Sequence, residues 1–113
     1  MKKIYIASTY TLGDVAINVR TQIVVADKLI DNGFAPFIPV LSHFQHLVKP
    51  RDYEDWMKLD FEWIKSCDAL LRIEGITSGA DREVEFAKNN NIPVFFAKEN
   101  EVDDIIEKIK NDL

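Results

Sequence analysis

Two acidic residues, Glu83 and Asp60, have neighbours that could make a carboxyl group reactive. Glu83 follows the segment Thr77–Ala80, whose small residues would let a ligand approach the backbone closely. Ser78 is a natural N-cap and Asp81 completes a capping-box pattern, so a helix should begin at this point. The positive end of that helix would favour an ionised carboxylate at Glu83. The same residues would also fit an ordinary capped helix whose acidic side chains face solvent and take no part in chemistry.

Asp60 lies on the apolar face of a helix predicted over Asp52–Cys67. The residues three and four positions away along that helix are all apolar: Trp56, Met57, Trp63 and Ile64. Burial among them would raise the pKa of Asp60 towards neutral pH, which is how a general acid is tuned. A structural acid that caps a backbone group or pairs with a buried base would give the same pattern.

Alternating strands and helices are predicted to position these acids. Apolar runs indicate four strands, at Lys3–Ala7, Phe34–Ile38, Asp68–Ile73 and Ile92–Ala97. Helical patterns follow each strand, so the chain should form a three-layer α/β fold of Rossmann or flavodoxin type. Its parallel sheet should have four or five strands in the order 2-1-3-4. Ligands bind at the carboxyl ends of such strands. The segments expected to meet there are Ser8–Tyr10, Pro39–Arg51, Glu74–Glu83 and Ala97–Lys98.

Two of the connecting segments carry further expectations. The first helix has an apolar stripe that should face the core, formed by Val15, Val19, Ile23, Ala26 and Ile30. Pro39–Arg51 has no clean period and is unusually apolar, which predicts a long loop. That loop would either fold over a ligand as a lid or bury its side chains against a neighbouring subunit. His43 and His46 have no third ligand spaced to join them, so no metal site is expected.

Composition limits the classes of function. The 113 residues predict one domain over 1–113, and the net charge of −5 argues against binding to nucleic acid or to anionic membranes. The single cysteine, Cys67, excludes an internal disulfide and suits a reducing compartment. The first apolar run is too short for a signal peptide or a membrane span. We therefore expect a cytoplasmic protein that needs no cofactor.

Three segments carry a family resemblance. The first is Ile4–Ser8, a strand with a tyrosine at its second position. The second is Asp60–Asp68, with aspartates eight residues apart leading into a strand. The third is Ser78–Ala87, with a glutamate after a small-residue turn and an alanine four residues on. In this order they resemble the nucleoside 2-deoxyribosyltransferase-like family, which also includes deoxynucleoside 5′-monophosphate N-glycosidases.

The resemblance implies cleavage or transfer of the N-glycosidic bond of a (deoxy)nucleoside or its 5′-monophosphate. In these terms Glu83 is the nucleophile, Asp60 assists departure of the base, and Tyr5 orients the nucleophile. Glu85 is about 200° further round the helix, so only one of the two glutamates can face the crevice. Asp68 is more consistent with a structural acid at the start of a strand. The residues expected to contact the substrate are Ser8, Thr9, His43, Thr77, Ser78, Gly79 and Ala80.

Two further expectations concern assembly and an alternative function. The apolar segment Pro39–Val48 and the two tryptophans exceed what a small domain easily buries, and the resemblance implies sites completed across subunits. A homodimer or a larger homo-oligomer is therefore predicted. The first loop, Ser8–Gly13, has no basic residue, unlike the first loop of the hydrolases. A non-catalytic nucleotide-binding or sensor module on the same fold is the alternative.

Overall fold

The computed structural model describes residues 1–75 and 78–113, and within that part it leaves out the side chains of His43 and Ser78. Its four strands are parallel and lie in the order β2-β1-β3-β4, as predicted. Their bounds are β1 Lys3–Ala7, β2 Ala35–Phe37, β3 Ala69–Ile73 and β4 Val94–Ala97. Pro36 lies in the edge strand β2, where its missing N–H is tolerated.

Five α-helices connect and cover the sheet in the described part of the chain. They are α1 Val15–Asp31, α2 Pro39–Ser42, α3 Tyr53–Lys65, α4 Ser78–Asn89 and α5 Val102–Asp112, with short 3₁₀ helices at His43–Leu47 and Glu99–Glu101. The prediction of an irregular loop after β2 was therefore wrong, because α2 and the first 3₁₀ helix occupy most of it. The helix α4 begins at Ser78, and the side chain on which the predicted N-cap depends lies outside the description.

Each face of the sheet packs against its own pair of helices. Ile4, Ile6 and Leu71 point to one side, where they contact buried residues of α1 and α5. Tyr5 and Leu70 point to the other side, together with buried residues of α3 and α4. Because successive strand residues alternate between faces, Arg72 shares the face of Leu70. The α3–α4 face therefore receives both Tyr5 and Arg72.

The face of the first helix that packs against the core differs from the predicted one. Its buried residues are Gln22, Val25, Ala26 and Leu29. Three residues of the predicted stripe are exposed instead: Val15, Ile23 and Ile30. The sequence offers two overlapping stripes at helical spacing, and the buried one includes a polar residue whose amide donates a hydrogen bond to the Thr9 carbonyl at 3.1 Å. None of the helices in residues 1–75 and 78–113 is long and apolar enough to cross a membrane.

Candidate functional site

Tyr5 and Glu83 meet on the α3–α4 face of the sheet, 78 positions apart in the chain. Tyr5 lies in the middle of the central strand β1 and is fully buried, and its ring stacks on Phe37 with centroids 5.6 Å apart. Glu83 lies in the second turn of α4 and is only 6% exposed. The Tyr5 hydroxyl donates a hydrogen bond to Glu83 Oε2. The topology thus brings the two predicted residues into direct contact.

Asp60 supplies a second buried carboxyl to the same place. It projects from α3, is 6% exposed, and affects the pKa of both Tyr5 and Glu83. Its Oδ1 is buried and has no hydrogen-bond partner among the described residues. An unpaired buried oxygen is unfavourable unless a ligand or a proton satisfies it. Asp60 is therefore poised to hydrogen-bond a molecule that enters the site.

Burial raises the pKa of all three groups. Desolvation raises the pKa of Asp60 to about 7, with an opposing contribution from hydrogen bonding to Tyr5. Desolvation also raises the pKa of Glu83 to about 8, against the lowering effects of Tyr5 and Arg72, while Asp60 raises it further. The pKa of Tyr5 is raised well above its usual value by burial and by the two carboxyls.

The sequence-based argument for an ionised Glu83 left out burial, which raises the pKa of this carboxyl. That expectation relied on the helix dipole, which is worth about 0.3–1 kcal/mol at an exposed helix end. Glu83 is buried, and removing its charge from water is a much larger effect in the opposite direction. The expectation that burial would raise the pKa of Asp60 towards neutral pH was confirmed.

The carboxyls line a cavity of about 710 Å³. This is within the range of roughly 300–1,000 Å³ that is usual for small-molecule sites. Predicted residues Ser8, Gly79 and Ala80 line it together with Asp60 and Glu83. The apolar or aromatic lining residues include Pro39, Val40, Phe44, Leu47, Tyr53, Trp56 and Met57. The polar ones include Tyr10, Thr11, Gln22, His46 and Arg51. The cavity therefore offers a ligand both apolar contacts and hydrogen-bonding groups.

The segment 39–51 lines the cavity instead of leaving it open. His46 Nδ1 accepts a hydrogen bond from the Arg51 backbone N–H at 3.0 Å, within the segment, and one from Trp56 Nε1 at 3.4 Å, which joins the segment to α3. Phe44 and Leu47 contribute to the cavity wall and yet remain 64% and 84% exposed. This placement over the cavity fits the lid that was one of the two alternatives for the segment.

Some of the predicted contact residues are placed elsewhere or lie outside the description. Thr9 lines a neighbouring cavity of about 370 Å³, which shares Ser8 and Leu12 with the larger one. Thr77 lies outside the described residues, as do the side chains of Ser78 and His43. Glu85 is exposed, so Glu83 alone of the two glutamates faces the cavity.

Other residues of the site were missed by sequence reasoning. Gln22 could have been noticed as a polar residue at helical spacing from Val25, Ala26 and Leu29. Arg51 lines the cavity and is the only Lys or Arg among the described lining residues, but nothing in its local sequence marks it. Arg72 interrupts an apolar strand and is only 4% exposed, a signal that was visible in the sequence.

Two acids outside the cavity have structural partners. The Asp68 carboxylate accepts a hydrogen bond from the Lys3 backbone N–H at 2.7 Å, so it joins the start of β3 to β1 as a structural acid should. Glu54 forms a bidentate pair with Arg82, at 2.7 and 3.1 Å, which connects α3 to α4. Within residues 1–75 and 78–113, no group of three or more His, Cys, Asp or Glu side chains is arranged to hold a metal ion.

Comparison with solved structures agrees with this architecture. The chain is similar to a 2-deoxyribosyltransferase from the psychrotolerant bacterium Bacillus psychrosaccharolyticus, with a TM-score of 0.66 and 26% sequence identity. The similarity covers 83% of this chain and 70% of that one. The protein therefore has a nucleoside deoxyribosyltransferase-like α/β fold with a buried cluster of two carboxyls and a tyrosine. Residues 2–97 match the family described as a domain of unknown function, DUF7768, and the chain belongs to that family. No curated protein matches the sequence significantly.

Proposed function

We propose that this protein is an enzyme that cleaves or transfers the N-glycosidic bond of a (deoxy)nucleoside or its 5′-monophosphate. The observation that carries the proposal is the pairing of Tyr5 with Glu83 beside Asp60, a cavity-lining acid whose buried Oδ1 has no hydrogen-bond partner among the described residues. Enzymes that cleave glycosidic bonds usually have two carboxyl groups in one ligand-sized cavity. The similarity to a 2-deoxyribosyltransferase supports a nucleoside as the substrate.

In the proposed mechanism the Glu83 carboxylate attacks the anomeric carbon of the sugar. The glycosidic bond breaks, its electron pair moves to the nitrogen of the base, and Asp60 donates a proton to the departing base. Water or an acceptor base then attacks the same carbon, Glu83 leaves as a carboxylate, and Asp60 recovers a proton from the attacking group. Tyr5 holds the reacting carboxylate in position through its hydroxyl.

The protonation states set the conditions for this reaction. The active form needs an ionised Glu83 and a protonated Asp60, so the pair must hold one proton. Both pKa values are raised towards neutral pH, to about 8 for Glu83 and about 7 for Asp60. Because the higher value belongs to Glu83, the active arrangement is the less populated of the two one-proton forms in the ligand-free protein. A pair that is active with one proton gives a bell-shaped pH profile, with a maximum between its two apparent pKa values.

The test is to incubate the protein with a panel of nucleosides and nucleoside 5′-monophosphates and to measure free base. Transfer is detected by adding a second base and measuring the new nucleoside. Glu83→Ala should abolish both, since it removes the nucleophile. Glu85→Ala is the matched control because it removes an exposed glutamate two positions away. Loss of activity in Glu85→Ala with full activity in Glu83→Ala would refute the assignment.

A second candidate function is a nucleotide-binding or sensor module. The raised pKa of Glu83 favours this function, because a protonated carboxyl group is a poor nucleophile but can donate a hydrogen bond to a ligand. Calorimetry with the same panel separates the two functions. Saturable binding of a nucleoside with no base released over many hours would support the sensor and contradict the enzyme.

A further inference from the structure

Arg72 is a buried cation within the central strand β3. It lies between Leu71 and Ile73, and all five residues of the strand are buried. Burying a charge is unfavourable by several kcal/mol unless the charge is paired and hydrogen-bonded. An arginine at such a position therefore needs partners that compensate its lost hydration. The partners of Arg72 therefore indicate its role.

The guanidinium of Arg72 finds its partners in the turn that leads to α4. It donates hydrogen bonds to the carbonyl oxygens of Ile73 and Gly75, the second at 2.6 Å. Its Nη2 also lies 3.6 Å from Asp81 Oδ1 in the first turn of α4. The planar guanidinium thus joins the end of β3, the following turn and the beginning of α4.

The opposite side of this turn is also closely packed. A Cβ atom at Gly75 would lie 2.6 Å from Thr9 Oγ1, so the absence of a side chain at Gly75 lets the first loop approach closely. The Glu74 backbone N–H is held by the Ala97 carbonyl oxygen at 2.8 Å. Arg72 is therefore one of several contacts that hold Glu74 and Gly75, which follow β3 and precede the helix that carries Glu83.

Arg72 also acts on Glu83 by its charge. Three groups on the elements packed around Glu83 influence its titration: Tyr5 on β1, Asp60 on α3 and Arg72 on β3. Tyr5 and Arg72 lower the pKa of Glu83, whereas Asp60 raises it. Arg72 is not among the residues that line the cavity, so it acts through Glu83 and not on a ligand.

We propose that Arg72 is a positioning residue of the site: its guanidinium holds the carbonyl groups of Ile73 and Gly75 and reaches Asp81, so it sets the end of β3 relative to the start of α4 and places a positive charge on the same face of the sheet as Glu83. The consequence for catalysis rests on the proposed function, while the structural and electrostatic parts do not. The charge of the guanidinium and its hydrogen-bond geometry can be tested separately by substitution.

Two substitutions separate them. Arg72→Gln keeps hydrogen-bond donors and removes the charge, and Arg72→Lys keeps the charge and removes the planar guanidinium. Titration of Glu83 is followed through the ¹³C shift of its carboxyl carbon in the ligand-free protein. We expect the ionised fraction at pH 7 to fall about threefold to tenfold in Arg72→Gln and to stay within about twofold in Arg72→Lys.

Arg82→Gln is the matched control for charge. Arg82 is adjacent to Glu83 in sequence, but its guanidinium pairs with Glu54 at the surface. The titration of Glu83 should be unchanged in this variant. An unchanged titration in Arg72→Gln, or an equal change in Arg82→Gln, would overturn the electrostatic part of the proposal.

Hydrogen exchange at the Glu74 amide tests the structural part. This amide should exchange at least about tenfold faster in Arg72→Lys than in the wild-type protein, because the guanidinium no longer holds the neighbouring carbonyls. Equal exchange rates would overturn the positioning role, and this variant serves even if Arg72→Gln does not fold. Base release is measured in parallel: its acidic limb should move to higher pH in Arg72→Gln only. Failure of the wild-type protein to release any base would refute the proposed function and leave the other two measurements valid.

Discussion

Replacing Glu83 with glutamine should stabilise the protein at neutral and alkaline pH. Glu83→Gln preserves the shape of the side chain and an oxygen that can accept the Tyr5 hydrogen bond, but it cannot ionise. The wild-type protein must either keep a proton on Glu83 or bury a negative charge, since that carboxyl is 6% exposed. The variant avoids both requirements. This prediction depends on burial alone and needs no assumption about the substrate.

The magnitude follows from the pKa of Glu83 in the folded and unfolded states. Burial raises that pKa from 4.5 to about 8. The folded state therefore binds more protons than the unfolded state between these values, and the free energy of unfolding falls as pH rises through the interval. Each pH unit in this interval lowers the free energy of unfolding by at most about 1.4 kcal/mol, so the total decrease has an upper limit of about 5 kcal/mol. Relaxation of the protein around the new charge reduces this, so we expect about 2–4 kcal/mol.

Urea denaturation at pH values from 4 to 9 measures this effect, with tryptophan fluorescence as the signal. The stability advantage of Glu83→Gln over the wild-type protein should be small at pH 4 and grow to its full value by pH 9. Glu85→Gln is the matched control, because the exposed Glu85 should give no pH-dependent difference. Asp60, with a pKa of about 7, should account for much of the remaining pH dependence of Glu83→Gln. Stability curves that stay parallel for Glu83→Gln and the wild-type protein would refute the burial argument.

Three other predictions concern activity and assembly. Tyr5→Phe removes the hydrogen bond to Glu83 and should lower kcat/KM at pH 7 by about tenfold to a hundredfold. The acidic limb of its pH profile should move to higher pH, so activity recovers in part as the pH rises. Tyr53→Phe removes a hydroxyl from the same cavity and should leave the acidic limb unchanged, so an equal shift of this limb in both variants would contradict the role of Tyr5. Asp60→Asn should lower base release by about a hundredfold or more and remove the alkaline fall in the pH profile, whereas an unchanged alkaline limb would show that another group is the acid. The protein should sediment as a homodimer or larger at micromolar concentration, because Phe44, Leu47 and Val48 are exposed, and a fully active monomer would contradict this.

The outline of the fold could be predicted because its signals are local. Short apolar runs and helical spacing gave the strands and their order, with Pro36 at the edge. The burial of Asp60 also followed from its helical neighbours, since all of them are apolar. The error in α1 has a local cause too, because two overlapping stripes fit the same helix and only packing against the sheet selects between them.

Residue types and local spacing were enough to identify the acidic candidates, the central strands and the desolvation of Asp60. Long-range packing was needed to bring the Tyr5 hydroxyl to Glu83 and to turn Arg72 towards the start of α4. Packing also raises the pKa of Glu83, although its place near the helix N-terminus suggested the opposite. Desolvation depends on which distant elements exclude water from a group, and local sequence does not specify these. Local sequence sets the helix dipole around Glu83, but β1, α3 and β3 set its burial.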